Sequence, residues 1–442
     1  MNFIYKINEK YKENKLIINI FFIIFIIKLI FFMNLNIYLT PDSREYISIN
    51  GFDIFSLKLH EYRVPLYPLF IEVFERVFSG LALKVVCFIQ FIVSYISSIY
   101  LYKTFNMFSS KKYISILVVA IYSCSVVIMG WDKTILTESF SLSLTIFMIY
   151  NIISYLKYRN IKFIINISII TIIGTFMRPT FMPYSLIVFG FFILRIIFIK
   201  NEREKIIKKL FISSIPVVLI LIYSTIFYNQ YQQFSLTNSL LGQQVTVMAQ
   251  TGLYKLSTDE EIKDTIDAAI KTEKGYILAR GYVMNLYDRD RISKFIKEIK
   301  NKNIISYGKE ILNIIWHEGP KNFESYYEAK FPVYYITYMM NEFIRYSISF
   351  AQGITLALLC GVLCMLKVIK KKKFDWIYFG IFGFTTSTYI ISILGTNAEY
   401  QRTAITSLPF IILSIYLFII KIIDFIKFTN NGKIVGRNID IE

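Results

Sequence analysis

The chain has 442 residues, 55% of them hydrophobic and 17% aromatic, with a mean hydropathy of +0.50 and a formal net charge of +18. A soluble domain of that length could not hide so much apolar surface, which excludes an ordinary water-soluble enzyme. The short alternating segments of a β-barrel are missing too, and the positive charge sits in short clusters between apolar runs, as membrane topology demands, rather than in a patch for nucleic acid.

Apolar runs of about 20 residues match a hydrocarbon core crossed at ~1.5 Å per residue. Read by run and flank, they predict an all-α polytopic membrane protein with ten spans, at 16–39, 81–102, 113–130, 138–156, 162–177, 181–199, 210–228, 346–366, 376–395 and 404–422. The first run follows Lys6, Lys10, Lys12 and Lys15 and lacks a small-residue cleavage site, so it reads as a retained span rather than a signal peptide. Alternate connections are basic, notably Lys103 to Lys112, Lys157 to Lys162, Lys200 to Lys209 and Lys367 to Lys373. Placing these in the cytoplasm of a cell-membrane protein puts both termini inside. Three parts follow: a transmembrane module over 1–228 that includes an outer loop over 40–80, an extracytoplasmic insert over 229–345, and a second transmembrane module over 346–442.

The insert reads as helical in pieces. Ser257-Thr258-Asp259-Glu260 has the form of a capping box with the serine as cap. Ile292, Phe295, Ile296 and Ile299 share one helix face, and a further helix is expected to end at Gly319-Pro320. Cys87, Cys124, Cys360 and Cys364 all fall in predicted spans, where buried thiols are expected rather than metal or disulfide chemistry. With only His60 and His317, no histidine-rich metal site is expected, and a divalent metal is not assigned.

The chemistry-bearing residues cluster at the predicted outer ends of the spans. Asp42, in Thr40-Pro41-Asp42-Ser43-Arg44-Glu45-Tyr46, follows the first run; a carboxylate in a partly dry cleft can take a proton from a hydroxyl. The bland alternative is a solvated acid at the start of a short helix. Arg63 and Tyr67 lie in the dense segment His60 to Pro68. Glu138 opens the fourth span and could orient an acceptor or sit in helix-start electrostatics, whereas Asp132 reads as the more exposed acid. Arg63, Arg178 and Arg402 carry the planar fork that suits phosphate, although a lone arginine there could simply snorkel to headgroups. Lys133 could act similarly with less geometric specificity. Tyr46, Tyr67 and Tyr400 stand out from the interfacial aromatics by lying beside these charges.

In this order the features resemble membrane glycosyltransferases of the GT-C fold, most closely the protein O-mannosyltransferases and aminoarabinose transferases. The resemblance rests on Asp42 with Tyr46, on Arg63-Val64-Pro65-Leu66-Tyr67-Pro68, on Glu138, on Arg178-Pro179, on Arg402, and on a helical insert before the last spans. The chain departs from that group where Asp42 is followed by Ser43 instead of a second acid, and where the last loop reads Glu399-Tyr400-Gln401-Arg402. The resemblance implies an inverting transfer of a sugar from a polyprenyl-phosphate carrier to a glycan, lipid or protein acceptor outside the cytoplasm. Asp42 would be the base, and Arg402, Arg178 and Arg63 would hold the donor phosphate. Tyr46, Tyr67 and Tyr400 would line the substrate. A surface-polysaccharide polymerase or ligase resting mainly on its arginines, and a lipid-linked sugar flippase, remain the alternatives.

Overall fold

A run of 33 residues from Asn2 to Asn34 contains neither glycine nor proline and forms one continuous helix, α1. The computed structural model describes residues 2–109, 111–198, 203–272, 275–302, 304–317, 332, 334–336, 338–339, 406 and 408–431. The apolar part of α1, Lys15–Asn34, is long enough to cross a bilayer. The predicted first span thus ends several residues early, because beyond Asn34 the backbone is recruited elsewhere. Tyr38 N–H donates to Lys133 O at 3.0 Å, and Tyr38 forms an isolated parallel bridge with Thr134.

The segment expected as an outer loop over 40–80 is largely helical. Pro41 opens α2 (Pro41–Ser48), and Thr40 and Ser43 cap it reciprocally, side chain to backbone in both directions. A 3-10 turn, Gly51–Ser56, then lies against α3 (Leu66–Phe78). A Cβ at Gly51 would sit 2.3 Å from the Leu69 Cα, so only glycine permits that approach. A second 3-10 turn leads from α3 into α4 (Ala82–Phe108), and the apolar stretch runs from Leu66 through Phe108.

The predicted span over 113–130 is broken. It consists of α5 (Lys112–Ser123) and α6 (Val126–Asp132), which meet at 53°. Ser125 makes the break possible by capping α6, its hydroxyl accepting from Ile128 N–H. Next come α7 (Glu138–Tyr158), α8 (Ile161–Met177), α9 (Met182–Phe198) and α10 (Arg203–Tyr231). In α7, 83% of the apolar window is buried, which makes it the central helix of the bundle. Among the described residues five helices are long and apolar enough to cross a membrane, or six if the bent pair counts as one span. The apolar helices Ile161–Met177 and Leu408–Ile420 are shorter. The ten-span count is therefore not reached among the described residues. The predicted spans over 346–366 and 376–395, with Cys360 and Cys364, lie outside them, while Cys87 and Cys124 are free thiols.

The insert contributes α11 (Ser239–Thr251), α12 (Glu260–Ile270), α13 (Gly275–Leu286), α14 (Arg289–Lys302) and α15 (Ile304–His317). It has its own core, in which Ile292, Phe295, Ile296 and Ile299 are all buried, as their spacing predicts. Gly319 and Pro320 lie outside the described residues. The cap of α12 differs from expectation: Asp259 caps it, accepting from Ile262 N–H at 3.2 Å, and Ser257 instead donates to Glu298 at 2.8 Å. A carboxylate two residues closer to the helix outcompetes the hydroxyl, and Ser257 finds a second acid across the core.

Those contacts make the insert acid-sensitive. Lys302, then Ser257 and Thr258, hold Glu298 down from 4.5 to about 2, and the Arg291 hydrogen bonds lower Asp259. A depressed carboxylate stabilises the fold above its unfolded pKa and loses that contribution as pH falls through the folded one. Hydrogen exchange of α12 and α14 amides in the full chain, taken relative to the intrinsic rate at each pH, is therefore expected to rise as pH falls from 4.5 to about 2. Glu298→Gln should flatten part of that rise; an unchanged profile would show that Glu298 does not clamp the helices.

Candidate functional site

Asp42 lies in the first turn of α2, and Glu45 one turn later faces the same way. Together they grip the Arg63 guanidinium. Nη2 reaches Asp42 Oδ1 at 2.6 Å, and Nε reaches Glu45 Oε2 at 2.8 Å. The three side chains are only partly buried, at 19% exposure for Arg63 and 30% and 31% for the acids, so solvent or a ligand can reach them. Burial alone would lower the Arg63 pKa, but Tyr46, Asp42 and Glu45 outweigh it and raise it, so Arg63 is a permanent cation. Its guanidinium carbon lies 4.8 Å from the centroid of the Tyr46 ring. Tyr46 in turn meets Tyr67 edge-on at 5.1 Å. Burial pushes the neighbouring His60 down, only partly opposed by Glu45 and Glu61, which favours the neutral imidazole near pH 7.

A second charged pair lies deeper. Glu138, the first residue of α7, is fully buried and pairs with Arg178 Nη1 at 2.8 Å. Arg178 ends α8 in an extended conformation, and Pro179 then starts a 3-10 turn. The fold back is tight: a Cβ at Gly174 would lie 2.4 Å from the Phe181 ring. Breaking such a pair would strand a charge in a dry site.

Gln90 of α4, which no motif marks, joins the two neighbourhoods. It accepts from the Tyr67 hydroxyl at 2.9 Å and donates to Thr134 O at 2.9 Å. Tyr67 also packs on Phe140, 6.3 Å away and two residues after Glu138. The loop carrying Arg63 is further tied to the insert. Asn238 donates to Glu61 from both backbone and side chain, at 2.8 and 3.0 Å, and Arg289 pairs with the same carboxylate.

Sequence reasoning missed Lys28. It sits in the apolar part of α1, fully buried, and its ammonium reaches Asp132 Oδ2 at 2.9 Å and Ser94 Oγ at 3.0 Å. The expectation that Asp132 is the more exposed acid is thereby corrected: Asp132 is 2% exposed, and Ser139 donates to its other oxygen at 2.7 Å. Lys28 also approaches Ser123 O, beside the break between α5 and α6, at 3.5 Å. The available signal was a lone lysine in a run of isoleucine and phenylalanine, a placement that hydrocarbon tolerates only with a partner. Lys133 is turned elsewhere, with Nζ 4.1 Å from the centroid of the Phe32 ring.

The structure thus gathers Asp42, Arg63, Tyr46 and Tyr67, and pairs Glu138 with Arg178 beside them. Tyr400 and Arg402 lie outside the described residues. Among the described residues no group of three or more His, Cys, Asp or Glu side chains is arranged to hold a metal ion.

No family model matches the chain, and no curated protein matches it. Among solved structures, the chain is similar to the archaeal oligosaccharyltransferase AglB from Archaeoglobus fulgidus in complex with an inhibitory peptide and a dolichol-phosphate. The TM-score is 0.49 at 11% identity, over 97% of this chain and 53% of that one. The apo form of the Archaeoglobus fulgidus oligosaccharyltransferase is similar with a TM-score of 0.49 at 10% identity, over 94% of this chain and 52% of that one. The chain spans about half the length of these proteins. A likeness at this level assigns neither a family nor an activity.

Proposed function

We propose that the chain is a GT-C-type membrane glycosyltransferase that moves a sugar from a polyprenyl-phosphate carrier to an extracytoplasmic hydroxyl. The observation that carries this reading is the partly exposed Asp42–Arg63–Glu45 cluster, backed by the buried rings of Tyr46 and Tyr67, near the end of a membrane-length helix. It presents a base and a phosphate-binding cation side by side. Asp42 takes the proton of the acceptor hydroxyl, whose oxygen forms the new bond to the anomeric carbon as the bond to the carrier phosphate breaks. The phosphate leaves as an anion, and Arg63, with Arg178 or Arg402, balances the charge that grows on it. Phosphate needs no separate acid to depart, and no metal is required. Glu138 holds Arg178 in place or orients the acceptor.

The test is release of free polyprenyl phosphate and appearance of a glycosylated acceptor when the purified chain meets a polyprenyl-phosphate sugar. A flippase is the second reading, favoured by the broken α5–α6 pair around Lys28 and Asp132, since transporters place polar groups in interrupted helices. It would move the donor across vesicles intact, with no phosphate release.

Two expectations follow from the proposed topology and donor site. A single cysteine replacing the exposed Glu260 should react with an impermeant maleimide on intact cells. Reaction only after permeabilisation would invert the topology and place the insert in the cytoplasm. If Arg402 binds donor phosphate through its fork, Arg402→Lys should weaken donor binding nearly as much as Arg402→Ala. Full binding by the lysine variant would leave Arg402 a snorkelling cation.

A further inference from the structure

At the end of α7 opposite Glu138, three helix ends bring cations onto one buried tyrosine. Tyr155 is 3% exposed. Arg195 of α9 donates to its hydroxyl at 3.5 Å. Lys209 of α10 stands 5.4 Å from the ring centroid, and Arg159, the C-cap of α7, stands 6.0 Å from it. Lys157, Lys162 and Lys208 lie exposed around them. Phe192 packs edge-on against the same ring at 5.7 Å, which fixes α9 against α7 there.

Helix electrostatics explain only part of this grouping. Lys157 and Arg159 end α7, where the dipole favours cations. Lys162 instead lies in the first turn of α8, and Lys208 and Lys209 lie in the second turn of α10, near ends where the dipole favours anions. Cations crowded near positive helix ends repel one another, and an anion bound among them relieves that repulsion. The surface beside the cluster is apolar: Leu194, Ile197, Ile207 and Phe211 are each more than half exposed. Glu138 and Tyr155 are seventeen residues apart in α7, or about 25 Å, close to the thickness of a hydrocarbon core. The cluster therefore sits at the headgroup level of the membrane face away from the Glu138–Arg178 pair.

We propose that this cluster binds the phosphate of an anionic phospholipid, with Arg159, Arg195 and Lys209 around the headgroup and the acyl chains along Leu194, Ile197, Ile207 and Phe211. An anionic leaflet attracts each nearby cation, and cations held together on one tyrosine convert that diffuse attraction into a site. The proposal is independent of the reaction catalysed at the other face.

The experiment is native mass spectrometry of the full chain in neutral detergent, titrated with phosphatidylglycerol or with phosphatidylcholine of the same acyl length. The expected result is one retained phosphatidylglycerol per chain, held at least about tenfold more tightly than phosphatidylcholine, whose quaternary ammonium offsets the charge of its phosphate and is repelled by the cluster. The triple variant Arg159→Gln, Arg195→Gln, Lys209→Gln should fall to the phosphatidylcholine level. Lys103→Gln, Lys111→Gln, Lys112→Gln, which removes equal charge from another basic connection, should keep the lipid. Arg195→Lys with Lys209→Arg should keep it too, and Lys209→Gln alone should weaken it severalfold if the triple variant does not fold. Equal binding of both lipids, equal loss in the control triple, undiminished binding in the Lys209→Gln chain, or complete displacement by equimolar inorganic phosphate would overturn the proposal.

Discussion

Asp42→Asn is expected to lower sugar transfer by roughly a hundredfold or more, within the ~10²–10⁴ that a positioned acid–base group contributes. The amide keeps the shape of the carboxylate and cannot take the acceptor proton. It also weakens one of the contacts to Arg63, so the two effects must be separated by size. Asp42 and Glu45 are about a third exposed, and an exposed ion pair contributes about 1 kcal/mol or less to stability. The thermal midpoint of the Asp42→Asn chain should therefore barely move while turnover falls. Glu45→Gln is the control, since Glu45 makes two of the hydrogen bonds to Arg63 and Asp42 makes one. A purely structural clasp would make the Glu45 variant the worse of the two. Near-normal transfer by the Asp42→Asn chain would remove Asp42 as the base and turn attention to Glu138.

The largest stability effect is expected from Lys28→Met. Lys28 is fully buried and Asp132 is 3% exposed at its side chain, so removing the ammonium leaves a carboxylate in a dry bundle. Breaking a buried pair from one side costs about 3–5 kcal/mol, because the surviving charge keeps its desolvation penalty. Adding Asp132→Asn to Lys28→Met removes that stranded charge and should restore most of the loss. Chemical denaturation of the three variants in detergent measures both steps. The same variants test the link between this pair and the site. Asp132 closes α6, and the five residues from Lys133 to Thr137 carry the chain from it to Glu138. An unchanged stability of the single Lys28→Met chain would show that water or a neighbour compensates Asp132.

The tie between Glu61 and the insert bears on how the site is held. Arg63 sits two residues from a glutamate that Asn238 and Arg289 grip from the insert side. Gln230 and Tyr231 add two more bonds, to Leu59 N–H and to Leu59 O at 3.0 and 2.6 Å. The segment that carries Arg63 is thus anchored by the end of α10 and the start of the insert rather than by its own turns.

The sequence by itself determined the helical membrane class, most helix positions, the apolar face of α14 and the short list of charged candidates. All of these depend on local information: the length of an apolar run, the spacing of side chains on a helix, and the rarity of charge in hydrocarbon. Asp42, Arg63 and Tyr67 lie within a short stretch, and the density of charge and aromatics made that stretch legible. The tertiary structure alone decided which charges meet. Lys28 and Asp132 are 104 residues apart, and Glu138 finds Arg178 only because α7 and α8 are antiparallel neighbours whose ends coincide. It also decided that Asp132 is buried, that Gln90 bridges Tyr67 to the loop before α7, and that Ser125 breaks a run that composition alone reads as one span. Each of these depends on a partner distant in the chain or on a single competing hydrogen bond, and neither leaves a periodic trace in the sequence.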